Sequence, residues 1–142
     1  MSHVWHQLYY HFAWGTHDRE SLIEPEKRPE LLRILGEEVG KRGGTLIRVN
    51  AMPDHAHLLV RLTPNILVSD FIGEVKGAGS YRFNREAAPR LPLKWQEGYG
   101  VLTLREGDVD EATISIIKKR IIKRRSCRSC WRFCNKPDSI LS

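Results

Sequence analysis

The chain has 142 residues, enough for one domain with a core, and 41% of them are apolar, a globular and not a disordered composition. No apolar run reaches the roughly 18 residues of a membrane span, and no basic segment leads into an apolar one after Met1-Ser2-His3, so a soluble cytoplasmic protein is expected. The net charge of +6 suggests a polyanionic partner, yet residues 1–110 hold 14 Lys and Arg against 15 Asp and Glu, while residues 111–142 hold 9 against 2.

In chain order, His6 to Trp14 is aromatic and apolar and reads as a strand. Gly15 to Glu20 is a polar loop. Pro25 and Pro29 stand where a helix begins, Leu31, Leu32, Ile34, Leu35 and Val39 recur at helical spacing, and Gly43-Gly44 ends it. Thr45 to Ala51 is a strand, Pro53-Asp54 a turn shaped by the Asp side chain, and His55 to Leu62 a second strand, together a hairpin. Val68, Phe71, Ile72 and Val75 predict a helix over 68–85; Gly77 and Gly79 weaken it by about 1 kcal/mol each relative to Ala and suggest a close backbone approach. Pro89 and Pro92 mark a loop, Tyr99 to Leu104 a strand, and Asp108 to Glu111 the acidic start of a last helix. The order β-α-β-β-α-β-α, without internal repeats, suits an α+β ferredoxin-like fold: four antiparallel strands with helices on one face.

On a strand, side chains alternate faces, so His55 and His57 project from the same face, two residues apart. Two imidazoles so placed can reach one divalent ion. They suit Mn, Zn, Fe or Ni, and Mg where oxygens complete the shell. The spacing alone equally fits two surface histidines. His3, His6, His11 and His17 have no ligand spacing of this kind.

The string Met52-Pro53-Asp54-His55-Ala56-His57-Leu58-Leu59-Val60 resembles the HUH motif of the single-tyrosine transposases of short bacterial insertion sequences, the IS200-like and REP-associated enzymes. Other stretches match in order: His11 to Thr16 with Arg19 resembles the first strand and loop, Lys76-Gly77 to Asn84 the helix after the hairpin, and Trp95-Gln96-Glu97-Gly98-Tyr99 the Trp-x-x-Gly-Tyr segment. The resemblance covers about residues 3–112. It implies a ferredoxin-like homodimer that binds hairpin single-stranded DNA ends. It also implies a divalent metal, Mg or Mn, held by His55, His57 and a third polar side chain, and a tyrosine that becomes joined to a 5′ phosphate. His11 lies near the site in that family fold.

The chain departs from the family where the chemistry should be. The family carries Tyr-Ile-x-x-Gln in its last helix, supplying nucleophile and third ligand, but Asp110 to Lys118 holds neither Tyr nor Gln. The tyrosines are Tyr9, Tyr10, Tyr81 and Tyr99. A reading-frame change near residue 112 is the expected cause. Joining each codon's third base to the next two bases, Thr113/Ile114 can encode Tyr, Ile114/Ser115 Ile, and Ile117/Lys118 Gln. Cys127, Cys130, Trp131 and Cys134 become Leu, Met or Val at i, i+3, i+4 and i+7, the pattern of an amphipathic helix. Residues 1–112 thus form the transposase-like unit and residues 113–142 a basic, cysteine-containing tail.

Other readings compete. The cysteines could form a zinc site, though only three are present and no His follows His57. The run Lys118 to Arg125 could bind phosphates or simply be solvated. Lys76, Arg82 and Arg85 could track DNA phosphates, or only be solvated helix residues. Trp95 and Tyr99 could stack on bases, or pack beside the strand. At the level of function the expectation is a transposase on single-stranded DNA, inactive in this chain for want of its tyrosine. The alternatives are a DNA-binding relic or regulator, and an unrelated nucleic-acid- or metal-binding module.

Overall fold

The computed structural model describes residues 4–110; the tail read at 113–142, with its cysteines and its proposed frame change, lies outside the described residues. The elements are β1 (Leu8–Gly15), a 3-10 turn (His17–Arg19), α1 (Arg28–Lys41), β2 (Thr45–Met52), β3 (His55–Leu62), α2 (Val68–Glu86), β4 (Gly100–Leu104) and a second 3-10 turn (Glu106–Asp108). The four strands form one sheet in the order β2-β3-β1-β4, each neighbour antiparallel. This is the expected ferredoxin-like α+β arrangement, with the ends of the four strands and of α2 within two residues of the sequence reading and α1 starting at Arg28, beside Pro29; the last helix read from Asp108 runs into residues outside those described.

Strand alternation separates the sheet into two faces. Across β1 and β3, Phe12 pairs with Leu58 and Trp14 with Ala56, while His11 pairs with Leu59 and Ala13 with His57. Phe12, Trp14, Ala56, Leu58, Val60 and Leu62 join one cluster with Leu31, Ile34, Leu35 and Val39 of α1 and Phe71, Ile72, Val75 and Phe83 of α2. Both helices therefore cover the same face. Each large aliphatic side chain buried there contributes about 1.5–3 kcal/mol.

The helices meet where α2 has no side chain. A Cβ on Gly79 would lie 2.7 Å from Leu35 Cδ2, so Gly79 supplies the close approach expected there; a Cβ on Gly77 would meet nothing within 4 Å. At the end of α1, Gly43 adopts φ +81, in the left-handed region that glycine enters without penalty. The start of α1 has no side-chain cap. Instead the Lys27 ammonium donates to the carbonyls of Ala87 and Ala88, which ties that end to the end of α2.

Charges lace the rim of the helix pair. Glu38 is buried and accepts from Lys41, Arg42 and Arg82 at 2.9, 2.5 and 2.8 Å. Burial pushes its carboxyl up, but these three cations outweigh burial and hold it at about 2. Arg82 also pairs with Glu37 and Glu86.

The other sheet face carries a smaller cluster, Leu59 and Leu104 with Tyr9, Ile47 and Val109. Val109 follows the second 3-10 turn, so the chain leaving β4 comes back onto this face. No helix among the described residues is long and apolar enough to cross a membrane.

Candidate functional site

The histidine face of the sheet is built from odd-numbered residues of β1 and β3. His55 and His57 lie on it together, as alternation requires, with ring centroids 5.1 Å apart and planes at 81°. β1 adds a third imidazole. Because Ala13 pairs with His57, His11 stands diagonal to it, and His11 Nε2 lies 3.2 Å from His57 Nδ1. Asn50 of β2 pairs directly with His57, and Met52 with His55.

The two ligand candidates are held differently. His55 Nδ1 donates to Asp54 Oδ1 at 2.7 Å. Burial pushes the Asp54 carboxyl up, but His55 and Arg19 pull it below its ordinary value, so it is a carboxylate and can only accept. The proton therefore sits on His55 Nδ1, and Nε2 is the nitrogen suited to a metal. His57 Nδ1 meets His11, whose pKa burial and then the charge of His57 lower to about 3, so His11 stays neutral. For His57 to offer Nε2 to a metal, its Nδ1–H must donate to His11 Nε2.

This donor set fits a divalent ion in part. Two imidazoles can converge, but among the described residues no group of three or more His, Cys, Asp or Glu side chains stands ready to hold a metal. The tyrosines do not approach either. Tyr10 and Tyr99 pack against the helix-side core, and Tyr81 is exposed on α2. Tyr9 shares the histidine face but pairs with Arg61, four residues along β3 from His57, or about 13 Å at strand rise.

Of the residues read as DNA contacts, Lys76 is buried, and its ammonium donates to the carbonyls of Gln96 and Gly98 at 3.0 and 2.6 Å. Burial lowers its pKa to about 8, with Glu97 opposing. The Trp95 indole donates back to the Lys76 carbonyl at 3.0 Å and meets Trp14 edge-on at 5.6 Å. Tyr99 meets Phe12 edge-on at 6.1 Å. Arg82 sits in the α1–α2 ion-pair network. Arg85 is exposed, bonded to the Tyr81 hydroxyl at 2.9 Å with its guanidinium over that ring. The structure thus brings Lys76, Trp95 and Tyr99 together around one segment and places Arg82 and Arg85 elsewhere on α2.

That segment also binds the end of β1: Gln96 N–H donates to Gly15 O at 3.0 Å and His17 N–H to Lys94 O at 2.8 Å. Sequence reasoning set His11 aside and gave Asp54 only a turn role. The signal for His11 was available once β1 and β3 are taken as neighbours, because odd residues of both then share one face.

The family model described as "Transposase IS200 like" matches residues 4–123. The chain belongs to the IS200-like transposase family. It is 34% identical over 107 residues to the ISDra2 transposase TnpA of Deinococcus radiodurans, covering 71% of this chain and 76% of that one. A crystal structure of a protein assigned as a transposase, from Deinococcus radiodurans R1, superposes with a TM-score of 0.65 at 26% identity, covering 84% of this chain and 96% of that one. A REP-associated tyrosine transposase bound to a REP hairpin shares the fold, with a TM-score of 0.56 at 16% identity over all of this chain and 94% of that one. Membership in the IS200-like family removes the reading of an unrelated ferredoxin-like module and places the chain among the DNA transposases of mobile elements.

Proposed function

We propose that this IS200-like chain binds single-stranded DNA folded into hairpin ends and holds a divalent cation, Mg or Mn, through His55 and His57, without completing strand cleavage itself. One observation carries the metal part: the two histidines share a face with ring centroids 5.1 Å apart, His55 Nδ1 being turned to Asp54 Oδ1 at 2.7 Å so that Nε2 is left for a cation. A cation bound there supplies Lewis-acid polarisation of a phosphate oxygen. The chain's own contribution is to present two imidazole nitrogens on one face of the interior strand β3, at its end beside the hairpin turn. The nucleophile is what the chain lacks. Its four tyrosines are Tyr9, Tyr10, Tyr81 and Tyr99, and none of them stands at the histidines.

Arg85, exposed on α2, is the cation on that helix best suited to a phosphate. Lys76 acts by holding the Trp95–Tyr99 segment, where Trp95 and Tyr99 are half-buried and keep part of their surface open to a base. The homodimer, the cytoplasmic location and the frame change at residue 112 belong to the same reading. Stop codons in the shifted frame of the gene's 113–142 segment contradict the frame change; an open frame encoding Tyr-Ile-x-x-Gln supports it.

A titration of labelled hairpin, linear single-stranded and duplex DNA at two salt concentrations tests the binding. Tighter binding of the hairpin that persists at the higher salt supports it. Equal affinities that collapse together with salt indicate only nonspecific phosphate contacts and contradict it.

A further inference from the structure

The loop after β1 is shaped to deliver one side chain. Asp18 and Arg19 both adopt left-handed backbone angles, φ 53 and φ 56, although neither is glycine. Such geometry persists where surrounding structure enforces it, and it clusters at functional sites. Here it is enforced from three sides. The Thr16 backbone N–H and hydroxyl both donate to the Asp54 carbonyl, at 2.9 and 3.2 Å, and the Thr16 hydroxyl also donates to Glu20 O at 2.5 Å. The Arg19 N–H closes the turn onto Thr16 O at 2.9 Å. Gly15 leaves room: a Cβ there would stand 2.9 Å from Arg19 Cδ. The outcome is that Arg19 Nη2 donates to Asp54 Oδ2 at 3.1 Å, while the other oxygen of the same carboxylate accepts from His55 Nδ1 at 2.7 Å.

We propose that Asp54, anchored by Arg19, is a positioning residue that fixes the ring and tautomer of His55 so that its Nε2 faces a divalent cation. The inference rests on the reading of His55 as a ligand. A turn carboxylate with no such task would need neither a guanidinium on its second oxygen nor a left-handed pair to bring it. Carboxylates on the far nitrogen of a ligand histidine set its tautomer and raise its basicity, and losing one typically lowers metal affinity 10- to 100-fold.

The test uses the full chain and two readouts: histidine tautomers by nitrogen-15 NMR without metal, and Mn2+ affinity by electron paramagnetic resonance at fixed pH. In the parent, His55 is expected as the Nδ1–H tautomer. Asp54→Ala should lose that preference and bind Mn2+ roughly 10- to 100-fold more weakly. Asp54→Asn, which can still accept the N–H and guards against a folding defect in the alanine variant, should keep the tautomer and lose less affinity. Arg19→Ala should shift both readouts in the same direction as Asp54→Ala. If His55→Ala abolishes Mn2+ binding while Asp54→Ala leaves tautomer and affinity as in the parent, the positioning role is overturned and the ligand reading stands. If the parent binds no Mn2+, or His55→Ala binds it as the parent does, the ligand reading falls and the proposal with it.

Discussion

On the helix side of the sheet, Phe12, Trp14, Leu58 and Val60 belong to one apolar cluster shared with both helices. On the other side, one residue along the same strands, His11, His57 and His55 stand beside Leu59 and Ala13. The first face is specified by volume and apolarity, and many residues can satisfy it. The second is specified atom by atom: the known contacts of His55 and His57 involve named nitrogens and partners at 2.7 and 3.2 Å. A single alternating strand can thus carry a core with one set of residues and a chemical site with the other. Substitutions on the two faces should fail in different ways.

The largest effect is expected on the helix side. Phe12→Ala should destabilise the protein by about 3–5 kcal/mol in urea unfolding, from lost burial and the cavity left behind. His57→Ala, one face away, should cost less than half as much; equal losses would break the contrast between the faces. Next comes Gly79→Ala, which puts a methyl 2.7 Å from Leu35 Cδ2 and should cost about 1–3 kcal/mol by overpacking. If Leu35→Ala in the same chain does not recover part of that loss, the clash is misassigned.

Acid should separate the faces without changing stability at neutral pH. His11 has a folded pKa of about 3, below the ordinary 6.5, so the unfolded chain binds the extra proton first and stability falls as pH drops through that window. Glu38 is also depressed, to about 2 from 4.5, so its stabilisation is complete above about 4.5 and is lost as pH falls toward 2. His11→Leu should flatten the pH dependence between about 6.5 and 3, and Glu38→Gln only between about 4.5 and 2. Denaturant midpoints measured across pH check this, and identical curves for parent and His11→Leu would contradict it. The smallest effect is Trp95→Phe, which loses one hydrogen bond to the Lys76 carbonyl and should cost about 1 kcal/mol.

Much of this was legible in the sequence, and the rest was hidden for physical reasons. The leucines of α1 and the His55–Leu62 alternation announce themselves because period is written along the chain. His11 does not, because its neighbour His57 lies 46 residues away and meets it only through the β1–β3 register. The left-handed turn at Asp18 and Arg19 is invisible because no glycine marks it. Lys76 misleads in another way. A lysine in a helix reads as a solvated cation, and nothing local says that its ammonium meets two carbonyls 20 and 22 residues on. Charge is visible in sequence; the partners that consume it are not.

We propose a histidine site without its nucleophile, and one experiment tests both halves. The direct test is incubation of the full chain with Mn2+ and a 5′-labelled and 3′-labelled hairpin DNA end, read for covalent protein–DNA adducts on a denaturing gel. The account predicts hairpin retained in native gels and no covalent 5′ adduct under denaturing conditions. A 5′-linked adduct that disappears in His55→Ala and in a variant of Tyr9, Tyr10, Tyr81 or Tyr99 would contradict it.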